Sequence, residues 1–293
     1  MLISFLLSFI APLLIVLALT PLTIRIARRL KLIDDPRKHK HPAIIHKKIL
    51  PRAGGLPIYI AIAVCMLFLP WQPIFLPILV AGALAVAIGL LDDKYDISAY
   101  ARFLGNIICA AIVVLSGIHV PFITNPLGGI LHFSNIYFQA SEFNITIGSV
   151  VAIIWIVWVM NMLNWSKGVD GQMPGVACIA AVVIGIASLR FPVLNEANII
   201  VSQMSFIVAG ASLGFLFYNF YPAKIFPGYS ATILGFMIGV LSIMSGVKLA
   251  TAVLVMGVPT ADAIFTITRR LASRRSPFLH DRGHLHHLLL ARG

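Results

Sequence analysis

The chain has 293 residues, is 59% hydrophobic and 11% charged, and carries a formal net charge of +12. A balance this apolar excludes a soluble domain of this length. Three cysteines (Cys65, Cys109 and Cys178), each inside an apolar stretch, exclude a disulfide framework and a zinc site and read as small packing residues.

In chain order, apolar stretches near residues 2–24, 54–70, 74–91, 103–121, 147–163, 174–190, 198–217, 230–246 and 248–267 predict nine membrane-spanning helices. The first is too long and too weakly flanked for a signal peptide, and no small-residue cleavage site follows it, so it reads as a retained span. No internal repeat or low-complexity linker interrupts the chain. The expectation is one all-α, polytopic membrane helix bundle over residues 1–293.

Basic residues are distributed unevenly. Ten Lys/Arg crowd residues 25–52, six lie in 269–292, and segment 119–146 has none. With the N-terminus outside, 20 of the 22 Lys/Arg face the cytoplasm, and only Arg190 and Lys248 face out. The positive-inside rule selects that orientation. Topology accounts for most of the basicity, so nucleic acid is not the expected partner. What remains suits anionic headgroups or a phosphorylated substrate.

This orientation also puts eight of the ten acidic residues on the cytoplasmic face. "LLDDKYD" places Asp92, Asp93 and Asp96 where the third span exits. "NMLNWSKGVDG" (161–171) follows the fifth, "YNFYPAKIFPGYS" (218–230) the seventh and "SPFLHDRGHLHHLLL" (276–290) the ninth. Charged groups at a membrane boundary carry a desolvation cost and mark a functional site by default. Asp92 and Asp93 read either as helix-end residues in a solvated loop or as a functional pair. Adjacent carboxylates repel and oppose the helix dipole, which a cation or proton between them would relieve, favouring function. "HLHH" lacks a convergent zinc spacing, and its histidines beside Arg282 better suit a phosphate. Gly168 and Gly171 around Asp170 read as a plain turn or as a close backbone approach to a ligand. Asp262 reads as a helix-packing partner, and Trp71, Trp155, Trp158 and Trp165 as interfacial anchors.

Five ordered stretches carry a resemblance. "HKKILPRAGGLPIY" resembles "HxxPxPRxGGxxI", with Arg52 at its basic position. "DDKYDISAYARFLGN" resembles "DDxxDLSPxxKLLGQ", with Arg102 at its basic position. "NMLNWSKGVDG" resembles "NxxNxxDGxDG", "FYNFYPAKIFPG" resembles "FxxNxxPAKxFMGD", and "HDRGHLHHLLL" resembles "xDRxHLHHRLL". Together they resemble the polyprenyl-phosphate N-acetylhexosamine-1-phosphate transferases (glycosyl transferase family 4). That family includes the peptidoglycan translocase that makes lipid I and the enzymes that start O-antigen and teichoic acid synthesis.

The resemblance implies transfer of a sugar phosphate from a UDP-sugar to a membrane polyprenyl phosphate, with release of UMP, in a cytoplasmic cleft of a multi-pass cell-membrane protein. It implies Mg²⁺ as cofactor. Asp92 would deprotonate or orient the lipid phosphate, and Asp93 would sit near the metal. Asn164, Gly168, Val169, Asp170, Asn219 and Phe226 would line the uridine pocket. Arg282, His284, His286 and His287 would hold the diphosphate. A homodimer is left open. Two positions depart from the pattern. Lys167 stands where the family has the first Asp of "DGxDG", and where "FMGD" ends in a metal-ligating Asp this chain has Tyr229 in an ungapped reading, or no counterpart if one residue is deleted. The alternatives are an active enzyme with altered metal dependence and a degenerate homologue that binds nucleotide or lipid without turnover. A transporter ranks below both, since the charges gather on one face and no inverted repeat is visible. Relatives of this pattern usually continue into one more span, so the sequence reads as one that lacks a last C-terminal span.

The topology is testable in a variant whose three native cysteines are replaced. A cysteine introduced by Ile130→Cys should react with a membrane-impermeant maleimide added from outside. Labelling only from the cytoplasmic side would put every polar cluster in the wrong compartment.

Overall fold

The computed structural model describes residues 2–35, 49–124, 128–133, 137–140, 143–190, 195–246, 249–274 and 276. Helices dominate. Helix α1 (Leu2–Arg29) opens the chain and ends on Arg28 and Arg29, which meet the negative end of its dipole. A two-residue hairpin, β1 (Ile33–Asp34) with β2 (Leu50–Pro51), leads into α2 (Gly55–Met66). Helices α3 (Phe75–Tyr95) and α4 (Ala99–Leu115) follow, joined by a tight turn. Helix α5 (Ile147–Trp165) opens with a capping box between Thr146 and Ser149, and a 3-10 turn, Ser166–Gly168, closes it. Then come α6 (Gln172–Ser188), α7 (Glu196–Asn219) and α8 (Thr232–Met244).

By length and composition, four described segments can cross a membrane: Leu2–Arg29, Phe75–Tyr95, Ile147–Gly168 and Glu196–Asn219. Four shorter apolar helices accompany them: α2, α4, α6 and α8. This is a membrane protein. Helix α8 is buried from Thr232 through Ser242 and packs centrally in the bundle, against α5, α3, α6 and α7. Helix α1 instead turns Leu2, Ile3, Leu6, Leu7, Ile10 and Leu14 outward, a surface suited to lipid.

Close packing between α1 and α7 rests on small residues. Gly210 and Gly214 lie one helical turn apart on α7, and a Cβ at Gly210 would strike the Phe9 carbonyl of α1. Lipid is as apolar as the helices, so association in a membrane depends on such backbone approaches.

Three expectations change. The bundle is not purely helical. Besides β1–β2, segment 122–146 forms two antiparallel hairpins, β3 (Phe122–Thr124) with β4 (Ile130–His132) and β5 (Tyr137–Ala140) with β6 (Phe143–Thr146). β-branched and aromatic residues between turn signals favour strands where no long apolar run imposes a helix. The ninth predicted span is not one helix. It divides at Met256 into α9 (Leu249–Val255) and α10 (Gly257–Ala272). Pro259 has no N–H to continue a ladder and fits the first turn of a new helix. Trp155, expected as an interfacial anchor, is partly buried, and its indole Nε1 donates to Ser242 Oγ of α8 at 2.8 Å. Cys65 and Cys109 are buried and Cys178 partly so, all three free, and Asp262 is buried on α10.

The α1–α7 contact gives a test. Gly210→Ala should cost about 1–3 kcal/mol through overpacking, read as a lower midpoint of thermal unfolding in detergent. Gly175→Ala, with nothing near its Cβ, should be harmless.

Candidate active site

The site is built on Asp93. It lies in the last turn of α3, 5% exposed, and its carboxylate accepts three hydrogen bonds from the loop before α8. Tyr229 N–H donates to Oδ1 at 2.7 Å. Ser230 N–H and Oγ–H donate to Oδ2 at 3.3 and 3.0 Å. Only glycine fits at 228, with φ of +67°, because a Cβ there would occupy the space of the Asp93 carboxylate. Gly89, one turn earlier on α3, gives the Ser230 backbone room to pass. Ser230 Oγ also accepts from the N–H of Gly55 at the start of α2, at 3.2 Å. One carboxylate thus ties α2, α3 and the α7–α8 loop together.

Asp92 meets a cation. After α3, Asp96 adopts a left-handed conformation (φ 49°) and its N–H returns to the Asp92 carbonyl at 2.8 Å. Ser98 then caps α4 by accepting from Ala101 N–H at 3.2 Å. This tight reversal brings Arg102 back over Asp92, its Nη1 lying 3.2 and 3.3 Å from the two carboxylate oxygens. Arg52 directly follows β2 and pairs with Asp34 at 2.6 Å. Lys167 arrives on the 3-10 turn after α5. Among charged neighbours, Lys167 acts most strongly on Asp93, ahead of Arg52. On Asp92 it is second to Arg102.

Tyr229 stands between these groups. Its ring has the Arg102 guanidinium carbon at 5.3 Å and the Lys167 Nζ at 5.4 Å from its centroid. Each contact lies within cation–π range, worth about 0.5–2 kcal/mol depending on desolvation. Asn106 of α4 donates to the phenol oxygen at 3.0 Å. Burial pushes the Tyr229 hydroxyl up to about 12, so it stays a neutral phenol at physiological pH.

The turn at 164–171 is braced to the loop at 219–226. Asp170 Oδ2 accepts from Ala223 N–H at 2.9 Å. Asn219 accepts from Gly171 N–H and donates to the Ile225 carbonyl, both at 3.0 Å. Phe226 N–H donates to the Pro51 carbonyl at 2.8 Å. Asp170, Asn219 and Phe226 therefore shape the loops through backbone contacts. Gly168 and Val169 are half-buried in the turn. Asn164, 8% exposed, keeps its Oδ1 buried with no hydrogen-bond partner among the described residues, and so does Gln172 its Oε1.

Three of the four polar clusters thus meet at one end of the bundle, joined by "PRAGG". The fourth lies almost wholly outside the described residues, with Arg282, His284, His286 and His287. Sequence reasoning did not single out Gly228, Ser230, Gly89, Asn106 or Gln172. Ser230 and Asn106 do sit inside the motif stretches, in "FPGYS" and "ARFLGN", where their nearness to charged residues was the available signal.

A model of glycosyl transferase family 4 matches residues 75–246, a range that holds the aspartate pair, Arg102, the 164–171 turn and the loop that binds Asp93. The chain belongs to glycosyl transferase family 4. It is 32% identical, over 98% of its length and 77% of the relative's, to the "Probable undecaprenyl-phosphate N-acetylglucosaminyl 1-phosphate transferase" of Bacillus subtilis. It is 32% identical to the "Decaprenyl-phosphate N-acetylglucosaminephosphotransferase" of Mycolicibacterium smegmatis, over 85% of this chain and 67% of that one. It is 28% identical to the "Undecaprenyl-phosphate alpha-N-acetylglucosaminyl 1-phosphate transferase" of Haemophilus influenzae, over 99% and 79%.

The donors in this glycosyl transferase family 4 chain fit Mg²⁺ poorly. That ion requires near-octahedral oxygen ligands. Both Asp93 oxygens are taken by the 229–230 loop, and Asp92 shares both of its own with Arg102. Tyr229 supplies no carboxylate, and Lys167 adds a cation. Among the described residues, no three His, Cys, Asp or Glu side chains are placed to share a metal.

The Asp93 cradle makes a prediction about stability. Asp93→Asn turns an NH₂ toward N–H or O–H donors, leaving buried groups unsatisfied at about 1–3 kcal/mol each. Thermal unfolding should register a larger loss for Asp93→Asn than for Asp92→Asn, whose partner Arg102 can turn toward solvent.

Proposed function

We propose that this chain transfers a sugar-1-phosphate, N-acetylhexosamine-1-phosphate, from a UDP-sugar to a membrane polyprenyl phosphate, releasing UMP and initiating a cell-envelope glycan. The observation that carries this reading is the convergence of Arg52, Arg102 and Lys167 on the Asp92–Asp93 pair, from segments distant in sequence, at one end of a membrane bundle. Relatives with names of this activity, aligned across nearly the whole chain, support it.

The chemistry asks for such a site. An oxygen of the lipid phosphate attacks the sugar-bearing phosphorus. The bond from that phosphorus to the bridging oxygen breaks, and the bridging oxygen leaves with UMP. Several anions approach one another, so catalysis is mostly positioning and charge neutralisation. The acceptor's prenyl tail stays in lipid, so its phosphate must be met at the membrane boundary, where these helices end. Asp92, held by Arg102, orients the acceptor phosphate or takes its proton. The braced 164–171 turn and 219–226 loop form the nucleotide side, with Asn164 Oδ1 left for a donor on the ligand. Arg282, His284, His286 and His287 hold the diphosphate, and the site faces the cytoplasm. A second reading, ligand binding without turnover, is favoured by Lys167 and Tyr229, which replace two family carboxylates.

Purified protein, given polyprenyl phosphate and a panel of UDP-sugars, should release UMP with at least one of them. Asp92→Asn should lower that rate by about 10²-fold or more while the protein remains folded, the range for loss of a positioned acid–base group. Near-normal turnover would assign Asp92 to structure. Absence of UMP release with every sugar, alongside retained nucleotide binding, would select the second reading.

A further inference from the structure

Lys167 and Tyr229 are far apart in sequence yet meet in space, and both stand where relatives of this pattern carry a carboxylate. They also interact with each other, the ammonium lying 5.4 Å from the ring centroid. An ammonium ion-paired directly to a carboxylate would have its N–H donors occupied. Over a neutral phenol it is held by the ring's quadrupole while its N–H donors remain available to another acceptor. Compared with two carboxylates, an ammonium and a phenol make the site more positive by about three charges, whereas a divalent cation brings about two. The same ammonium is near enough to act on both Asp93 and Asp92. Lys167 is partly buried in its turn.

We infer that the Lys167 ammonium, seated on Tyr229 beside Arg102, is a built-in cation that neutralises substrate phosphate in place of a divalent metal, so that this transferase works without Mg²⁺. The inference rests on the transferase reading of the same site. Asn106 has a defined part in it. By donating to the phenol oxygen it fixes the ring on which Lys167 sits, making it a positioning residue. An ammonium is a compact point charge with three donors, suited to a phosphate oxygen that a metal would otherwise bind.

The test uses the full chain in detergent and two readouts. Mn²⁺ titration followed by electron paramagnetic resonance should show no stoichiometric binding to the unaltered protein. UMP release should change by less than about twofold between excess chelator and saturating magnesium. The paired change Lys167→Asp with Tyr229→Asp should create Mn²⁺ binding and make UMP release chelator-sensitive, whereas Lys167→Asp alone should abolish activity without creating a metal site. Stoichiometric Mn²⁺ on the unaltered protein, or UMP release abolished by chelator and restored by magnesium, would overturn the inference. If the paired variant elutes as aggregate, the two measurements on unaltered protein still decide. If the unaltered protein releases no UMP under any condition, the transferase reading fails by itself. The Mn²⁺ titration then judges the built-in cation separately.

Discussion

A single buried carboxylate, Asp93, organises one end of this bundle. A charge taken out of water has to recover its solvation from fixed donors. Asp93 does so from Tyr229 N–H, Ser230 N–H and Ser230 Oγ–H. The same three bonds fix the course of the loop that leads into α8. They explain why Gly228 and Gly89 have no side chain, since either would displace the carboxylate or the backbone that binds it. They also decide where the Tyr229 ring lies, and through it where Arg102 and Lys167 come to rest.

The membrane makes this arrangement economical. Within the hydrocarbon the backbone must satisfy itself, so irregular, ligand-binding structure is confined to helix ends. Helices α3, α5 and α7 each end at the same boundary. Their exits supply the aspartate pair, the Lys167 turn and the Asn219–Ser230 loop respectively. Asn219 and Asp170 then bind those exits to each other through backbone groups, 53 residues apart in the case of Asp170 and Ala223. Polar residues so placed are costly as isolated groups and coherent as a network.

Family membership and departure from the family pattern bear on different levels. Membership follows from alignment over most of the chain and concerns the scaffold: helix order, the aspartate pair and the loops that hold it. The departures concern charge. Lys167 and Tyr229 place a cation and a neutral phenol beside the aspartate pair, while Asp92 and Asp93 are anchored to Arg102 and to the 229–230 loop. Geometry here is set largely by hydrogen bonds to backbone, and charge by a few side chains.

Much of this was legible in the amino-acid sequence, for a definite reason. Membrane spans are local: about 20 apolar residues suffice to identify one, and Lys/Arg counts suggest an orientation without any knowledge of packing. The polar stretches after the third, fifth and seventh spans could be assigned to one face on that basis alone, and Asp92, Asp93, Arg102 and Lys167 stood out there as charges in an apolar chain. What depends on contacts between distant residues was not legible. That Asp93 is consumed by backbone donors, that Asn219 is a brace, that Trp155 bonds to Ser242 of α8 and that Tyr229 lies under two cations are facts of tertiary structure. Each is set by how helices far apart in sequence dock, and hydropathy carries no record of that. The break at Met256 and the hairpins in 122–146 rest instead on local signals, Pro259 and β-branched and aromatic residues between turns, which a hydropathy count does not weigh.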